Sequence, residues 1–234
     1  MKTKTLAVLS GGMDSTVMTY QLWNCPVLYK LTHAVNFSYG SKHNEREREK
    51  ARITCQKLGL ELIEIDLDFI HKHFKSDLLK SGGEVPEGHY ADENMKKTVV
   101  PFRNGIMLSI ATGLAESLGM DAVALGSHTG DHAIYPDCRP DFTEAMTKAI
   151  ELGTWAKIEL LAPLQGMNKT AIASHGAEFK VPFEDTWTCY VGGEKHCGKC
   201  GSCVERLSSF EEAGLTDPVD YEDKDFFKSC TERK

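Results

Sequence analysis

Apolar residues in this 234-residue chain fall in short blocks separated by polar stretches with helical content. Leu6-Ala7-Val8-Leu9 is an apolar run that predicts a first strand, and Thr16 to Trp23 then reads as a helix. Val27 to Phe37 is mostly apolar and predicts a second strand, ending at Ser38-Tyr39-Gly40. Ser41 is the expected cap of a charged helix, with Glu45, Glu47 and Glu49 early and Lys57 late, the order a helix dipole favours. The run Glu45 to Lys50 reads as a solvated helix face. Leu60, Leu62, Ile63, Ile65 and Leu67 predict a third strand, and residues 68–80 a short helix on which His71 and His73 point apart. Residues 81–97 are polar and long for a connection inside a compact domain, so they predict a mobile segment or a lid over a substrate. Pro101 holds the chain extended before Asn104, the expected cap of a helix from Gly105 to Gly119. Asp121 to Leu125 and Ile158 to Leu161 predict the fourth and fifth strands, with a helix over 141–152 between them and another opened by Asn168-Lys169. This alternation predicts an α/β fold, doubly wound around a mostly parallel five-stranded sheet.

The turn after the first strand is Ser10-Gly11-Gly12-Met13-Asp14-Ser15. Strand, glycine turn and helix start together make an anion site. Glycines let the backbone come close to a ligand, and the first helical N–H groups lack partners inside the helix. The Ser10 and Ser15 hydroxyls can donate to phosphate, and Asp14 can hold Mg2+. No lysine follows the glycines, which excludes the Walker loop.

Charge and cysteine usage narrow the classes. A hydrophobic content of 41% supports one α/β domain with its own core, and the net charge of −7 argues against a broad nucleic-acid face. No apolar run approaches the ~20 residues of a membrane span. The amino-terminal Met1 to Thr5 has no signal-peptide character, so a cytoplasmic setting is expected, in which eight cysteines point to metal or catalysis before disulfides. Cys189, Cys197, Cys200 and Cys203 lie within fifteen residues. Four thiolates close a tetrahedron and leave no position for water, so one structural Zn2+ per chain is expected; an Fe–S cluster takes the same ligands. His196 is a rival ligand. The expected organisation is a nucleotide domain over 1–184 and a small zinc module over 185–234.

Three further places carry chemistry. Arg103, just before a helix, suits a phosphate or carboxylate. Lys169 opposes the dipole of its helix, as a cation serving an anion would. The polar loop from Thr129 to Asp141 gathers Asp131, Tyr135, Asp137 and Arg139 beyond a strand end. Those residues suit a planar, hydrogen-bonding ligand, and equally an ion-paired turn into the next helix.

The motif S-G-G-x-D-S resembles the pyrophosphate loop of the ATP pyrophosphatase superfamily, with its adenine nucleotide alpha-hydrolase-like fold. Val100-Pro101-Phe102-Arg103-Asn104, Tyr135-Pro136-Asp137-Cys138-Arg139-Pro140, Lys169 and the four-cysteine spacing follow in order. Together they resemble the nitrile-forming 7-cyano-7-deazaguanine synthase family of the queuosine pathway, over roughly residues 4–220. That family usually has Gln where Ser41 stands, and Ser where Thr188 stands. The resemblance implies that 7-carboxy-7-deazaguanine, ammonia and ATP yield the nitrile through adenylated carboxylate and amide. It implies an ATP site of Leu9, Ser10, Gly11, Gly12, Met13, Asp14 and Ser15 with Asn36 and Gly126. Asp14, Lys169 and Arg103 would act in catalysis, and Arg103, Asp131, Tyr135, Asp137 and Arg139 would hold substrate. It implies a homodimer working on small molecules. A tRNA-thiolating member of the superfamily is the alternative; it needs a catalytic cysteine and a basic tRNA face.

Overall fold

Strand β1 (Thr3–Val8) alternates its side chains between two apolar layers, and the fold follows from that alternation. Leu6 and Val8 pack on one side with Leu108, Ala111 and Ala115, while Ala7 and Leu9 pack on the other with Met13, Val17 and Ile172. A strand covered on both faces reads as an unbroken apolar run, which is why the first block lacks polar residues. The computed structural model describes residues 1–130 and 134–231.

The other strands are β2 (Tyr29–Ser38), β3 (Glu61–Asp66), β4 (Ala122–Ala124) and β5 (Glu159–Leu161). All pair in parallel, in the order β3-β2-β1-β4-β5. The helices are α1 (Met13–Trp23), α2 (Asn44–Leu58), α3 (Asp68–His73), α4 (Arg103–Ser117), α5 (Pro140–Gly153), α6 (Lys169–Glu178), α7 (Gly201–Glu212) and α8 (Phe226–Thr231). The doubly wound, five-stranded architecture is as expected. The strand order reverses direction at β1 and β4, and in such sheets the crevice beyond the carboxyl ends at that point is where ligands bind.

Local starts differ from expectation at two helices. Ser41 does not cap α2; the helix begins at Asn44, whose Oδ1 accepts from the backbone N–H groups of Tyr39 and Ser41 at 3.1 and 2.7 Å. Asn104 does not cap α4. The cap position is Phe102, left-handed at φ 54°, and Asp137 supplies the carboxylate that accepts Asn104 N–H at 2.8 Å. Segment 81–97 packs onto the cysteine region, with Gly88 N–H donating to the Lys199 carbonyl.

Candidate active site

The loop after β1 turns on Gly11, whose φ of 96° suits glycine alone. The missing side chain also admits α2, because a Cβ there would lie 2.0 Å from the Glu47 carbonyl oxygen. Ser10 and Ser15 hydroxyls meet at 3.0 Å, and Gly12 N–H donates to Ser10 Oγ at 3.1 Å. Asn36 braces the loop from β2, donating to the Leu9 and Ser10 carbonyls at 3.0 and 3.1 Å. Asn36, expected in the ATP site, thus commits its side-chain amide to the loop. Gly126, after β4, comes within 3.1 Å of Ser15 at its Cβ position, so β4 can close against α1.

A cavity opens beyond β1 and β4. With its mouth it encloses about 1050 Å3, and Leu9, Ser10, Gly12, Met13, Asp14, Ser15, Arg103, Gly126, Tyr135 and Lys169 all line it.

One wall is ionic. Lys169, buried at the start of α6, donates to Asp14 Oδ2 at 2.7 Å and lies 3.5 Å from Glu205 Oε2 and 3.4 Å from His128 Nε2. Burial by itself would raise the Asp14 carboxyl, but Lys169 and then His128 outweigh it and hold the group well below the usual carboxylate range. Asp14 Oδ1 is buried and has no hydrogen-bond partner among the described residues. An ionised carboxylate with one oxygen held and the other open is a fitting oxygen donor for Mg2+ beside phosphate.

A second wall is aromatic; Arg103 and Tyr135 were expected in the site, and the residues packed around them were not. Arg103 donates to Tyr39 Oη at 3.3 Å, with its guanidinium 5.8 Å from the Tyr39 ring centre. Tyr135 is buried, its hydroxyl 2.8 Å from Thr98 Oγ1 and 3.3 Å from Tyr190 Oη. Tyr90, Trp187, Thr188 and Tyr190 complete that side. His43 and Glu47 lie here too, though the charged run around them reads as solvent-facing. His43 Nδ1 is 3.3 Å from the Tyr190 carbonyl, and Nε2 is 3.5 Å from Glu47 Oε2. A carbonyl only accepts, so Nδ1 carries the hydrogen and Nε2 presents its lone pair to the carboxyl group. Burial pushes His43 down to about 4, and it pushes Glu47 up to about 8 against the pull of Arg103.

Two expected substrate contacts are elsewhere. Asp137 is spent on the first turn of α4. Arg139 stands exposed at the start of α5 and is not among the described residues of the lining. Asp131 lies outside the described residues.

The four expected ligand cysteines converge. The sulfurs of Cys189, Cys197, Cys200 and Cys203 lie within 4.8 Å of one another, a metal-binding site. The N–H groups of Lys199 and Cys200 donate to Cys197 Sγ at 3.4 and 3.3 Å. His196 is not part of the set; its Nε2 accepts from Thr188 N–H at 3.1 Å. This cluster is bolted to the cavity. Trp187 N–H donates to the Gly11 carbonyl at 2.9 Å, and Arg206, fully buried, clamps Asp217 at 2.8 and 2.9 Å while donating to Thr186 and Thr188.

The model of the family described as "Queuosine biosynthesis protein QueC" matches residues 4–214. A protein of Porphyromonas gingivalis named 7-cyano-7-deazaguanine synthase is 50% identical over 218 residues, covering 93% of this chain and 97% of its own length. One of the same name from Rhizobium rhizogenes is 45% identical over 230 residues, covering 97% and 96%. Among solved structures, the U34-tRNA thiolase NcsA from Methanococcus maripaludis with its 4Fe–4S cluster aligns with a TM-score of 0.51 at 16% identity, over 77% of this chain and 57% of that one. At that identity the likeness concerns the fold.

Proposed function

We infer the reaction from one premise: the chain belongs to the family of the queuosine biosynthesis protein QueC, whose relatives here are named 7-cyano-7-deazaguanine synthase. It is an enzyme of nitrile formation. The finer reading is ours, and one observation carries it: the glycine loop, Lys169, Arg103 and a wall of tyrosines share one cavity.

A carboxylate is a poor electrophile. In the proposed reaction the carboxylate oxygen of 7-carboxy-7-deazaguanine attacks the α-phosphorus of ATP, and pyrophosphate leaves. Ammonia displaces AMP to give the amide, whose oxygen is adenylated in a second round before AMP departs and leaves the nitrile. Such chemistry is mostly positioning and charge neutralisation. The loop N–H groups and the Ser10 and Ser15 hydroxyls hold phosphate oxygens, and Lys169 offers its cation once ATP competes with Asp14. Arg103 meets the substrate carboxylate, and Tyr39, Tyr90 and Tyr135 bracket the flat heterocycle. Bound at Asp14, Mg2+ would offset phosphate charge. Four sulfur ligands with no open position suit a structural Zn2+, one per chain.

We further propose a cytoplasmic homodimer acting on small molecules without nucleic acid. The net charge of −7 supports the last point, and no helix among the described residues is long and apolar enough to cross a membrane.

Incubation of the purified protein with ATP, Mg2+, ammonium and 7-carboxy-7-deazaguanine, read by mass spectrometry, is expected to give the nitrile with AMP and pyrophosphate. Absence of AMP release by folded, metal-loaded protein would overturn the reading. Metal analysis of the same sample is expected to give one zinc per chain.

A further inference from the structure

The reaction inferred above, on which this inference rests, strips its nitrogen bare. Ammonium enters with four hydrogens and ends as a nitrile nitrogen with none. In the first round the N–C bond forms, the bond from carbon to the AMP oxygen breaks, and nitrogen gives up two protons. In the second round the amide oxygen bonds to AMP as pyrophosphate leaves, and nitrogen gives up a third proton. The fourth departs as the remaining C–O bond breaks. Nothing is oxidised or reduced; what the site must supply is a group beside the nitrogen that takes protons. Lys169 and Arg103 are cations, and Asp14 is a weak base locked to Lys169.

We propose that Glu47 is that group: its carboxylate binds ammonium in a subsite beside Gly12, accepts the protons of the nitrogen one at a time over both rounds and passes each to solvent before the next, while His43 is a positioning residue that holds the carboxyl. The geometry is specific. The point a Cβ on Gly12 would occupy is ringed by Ser10 Oγ at 3.2 Å, the Trp187 carbonyl oxygen at 3.5 Å and Glu47 Oε1 at 3.6 Å. Three oxygens from three separate segments thus gather around Gly12, where a side chain would crowd them, and they make an oxygen-lined cradle at the edge of the cavity that favours a small cation. The cradle adjoins the phosphate loop, where the adenylated carbon must lie. The Glu47 side chain is 16% exposed, and it lines the cavity, so a ligand can reach it.

The surroundings set its basicity. From α4 comes the Arg103 cation, from the end of β2 Tyr39, from the start of its own helix a neutral His43, and from the cysteine segment Trp187 and Tyr190. Burial outweighs Arg103 and raises the Glu47 carboxyl to about 8. The group therefore keeps its own proton before ammonium binds, releases it to solvent as the cation pairs with the carboxylate, and is then the base. A base close in strength to the amine it serves transfers protons with little bias either way.

The test compares wild-type holoenzyme with Glu47→Gln at saturating ATP and 7-carboxy-7-deazaguanine. Three rates are read: carboxylate-dependent ATP–pyrophosphate exchange without ammonium, nitrile formation with ammonium, and hydroxamate formation with hydroxylamine, which is uncharged at neutral pH. The variant is expected to keep exchange and hydroxamate formation within a few-fold and to lose nitrile formation by about 100-fold or more. Unchanged nitrile formation overturns the proposal. So does an equal fall in all three rates, which would make Glu47 a prop for the loop. If wild type itself forms no nitrile, the parent reading fails and not this one. Should Glu47→Gln not fold, His43→Gln carries the test: KM for ammonium is expected to rise about tenfold with exchange intact, and an unchanged KM overturns the proposal.

Discussion

Asp14 and Glu47 line one cavity, and the protein drives the same functional group in opposite directions. Asp14 is gripped by Lys169 and His128 and stays ionised despite burial. Glu47 is set among rings and a neutral imidazole, and burial raises it to about 8. What separates them is the company each keeps: a cation within hydrogen-bond reach for Asp14, and for Glu47 rings and a neutral imidazole, with the Arg103 cation too weak to offset burial. Pairs pushed apart in this way take different tasks, one a fixed charge for a metal and phosphate, the other a group that trades protons at working pH.

The contrast can be broken at its hinge. Gly11→Ala puts a Cβ against the Glu47 carbonyl at a positive φ, forcing both walls apart. A stability loss of about 3 kcal/mol or more is expected in chemical denaturation, together with loss of nitrile formation. Lys169→Met makes the two carboxylates alike. Burial then acts on Asp14 without its main cation, so its carboxyl rises, and turnover is expected to fall about a thousandfold with the acid limb of the pH–rate profile moving up. A profile whose acid limb stays in place would show that Lys169 does not govern Asp14.

Glu47→Gln sharpens the other side with the smallest effect. The folded carboxyl titrates near 8 and the unfolded one near 4.5, so folding is favoured by the bound proton. The stability present below 4.5 is lost as pH climbs through about 8. Denaturation of wild type and variant at about pH 5 and about pH 9 is expected to show the variant gaining about 2 kcal/mol on wild type at the higher pH. A constant difference would return Glu47 to an ordinary surface carboxylate.

The ionic wall was readable because each part has a local signature: the glycines, the acid in the first turn of α1, and a lysine in the first turn of α6 that opposes its dipole. The sheet was readable from five apolar blocks, and the cysteine set from its spacing. Glu47 was not readable. Within Glu45-Arg46-Glu47-Arg48-Glu49 it looks like its neighbours, and only the approach of Gly11 to α2 turns it inward. Asp137 failed for the converse reason. Its residue type suits a ligand, but α4 starts at Phe102 with no side-chain cap of its own, and the nearest carboxylate serves that helix.

The stretch from Trp187 to Tyr190 has a consequence for how this family can change. Trp187, Thr188 and Tyr190 line the cavity while Cys189, between them, belongs to the sulfur cluster. The cluster is thus one residue removed from the reaction chamber. A graft that exchanged the carboxyl-terminal part for that of a distant cousin would carry away a chamber wall with it, so the two halves must drift together through evolution or not at all.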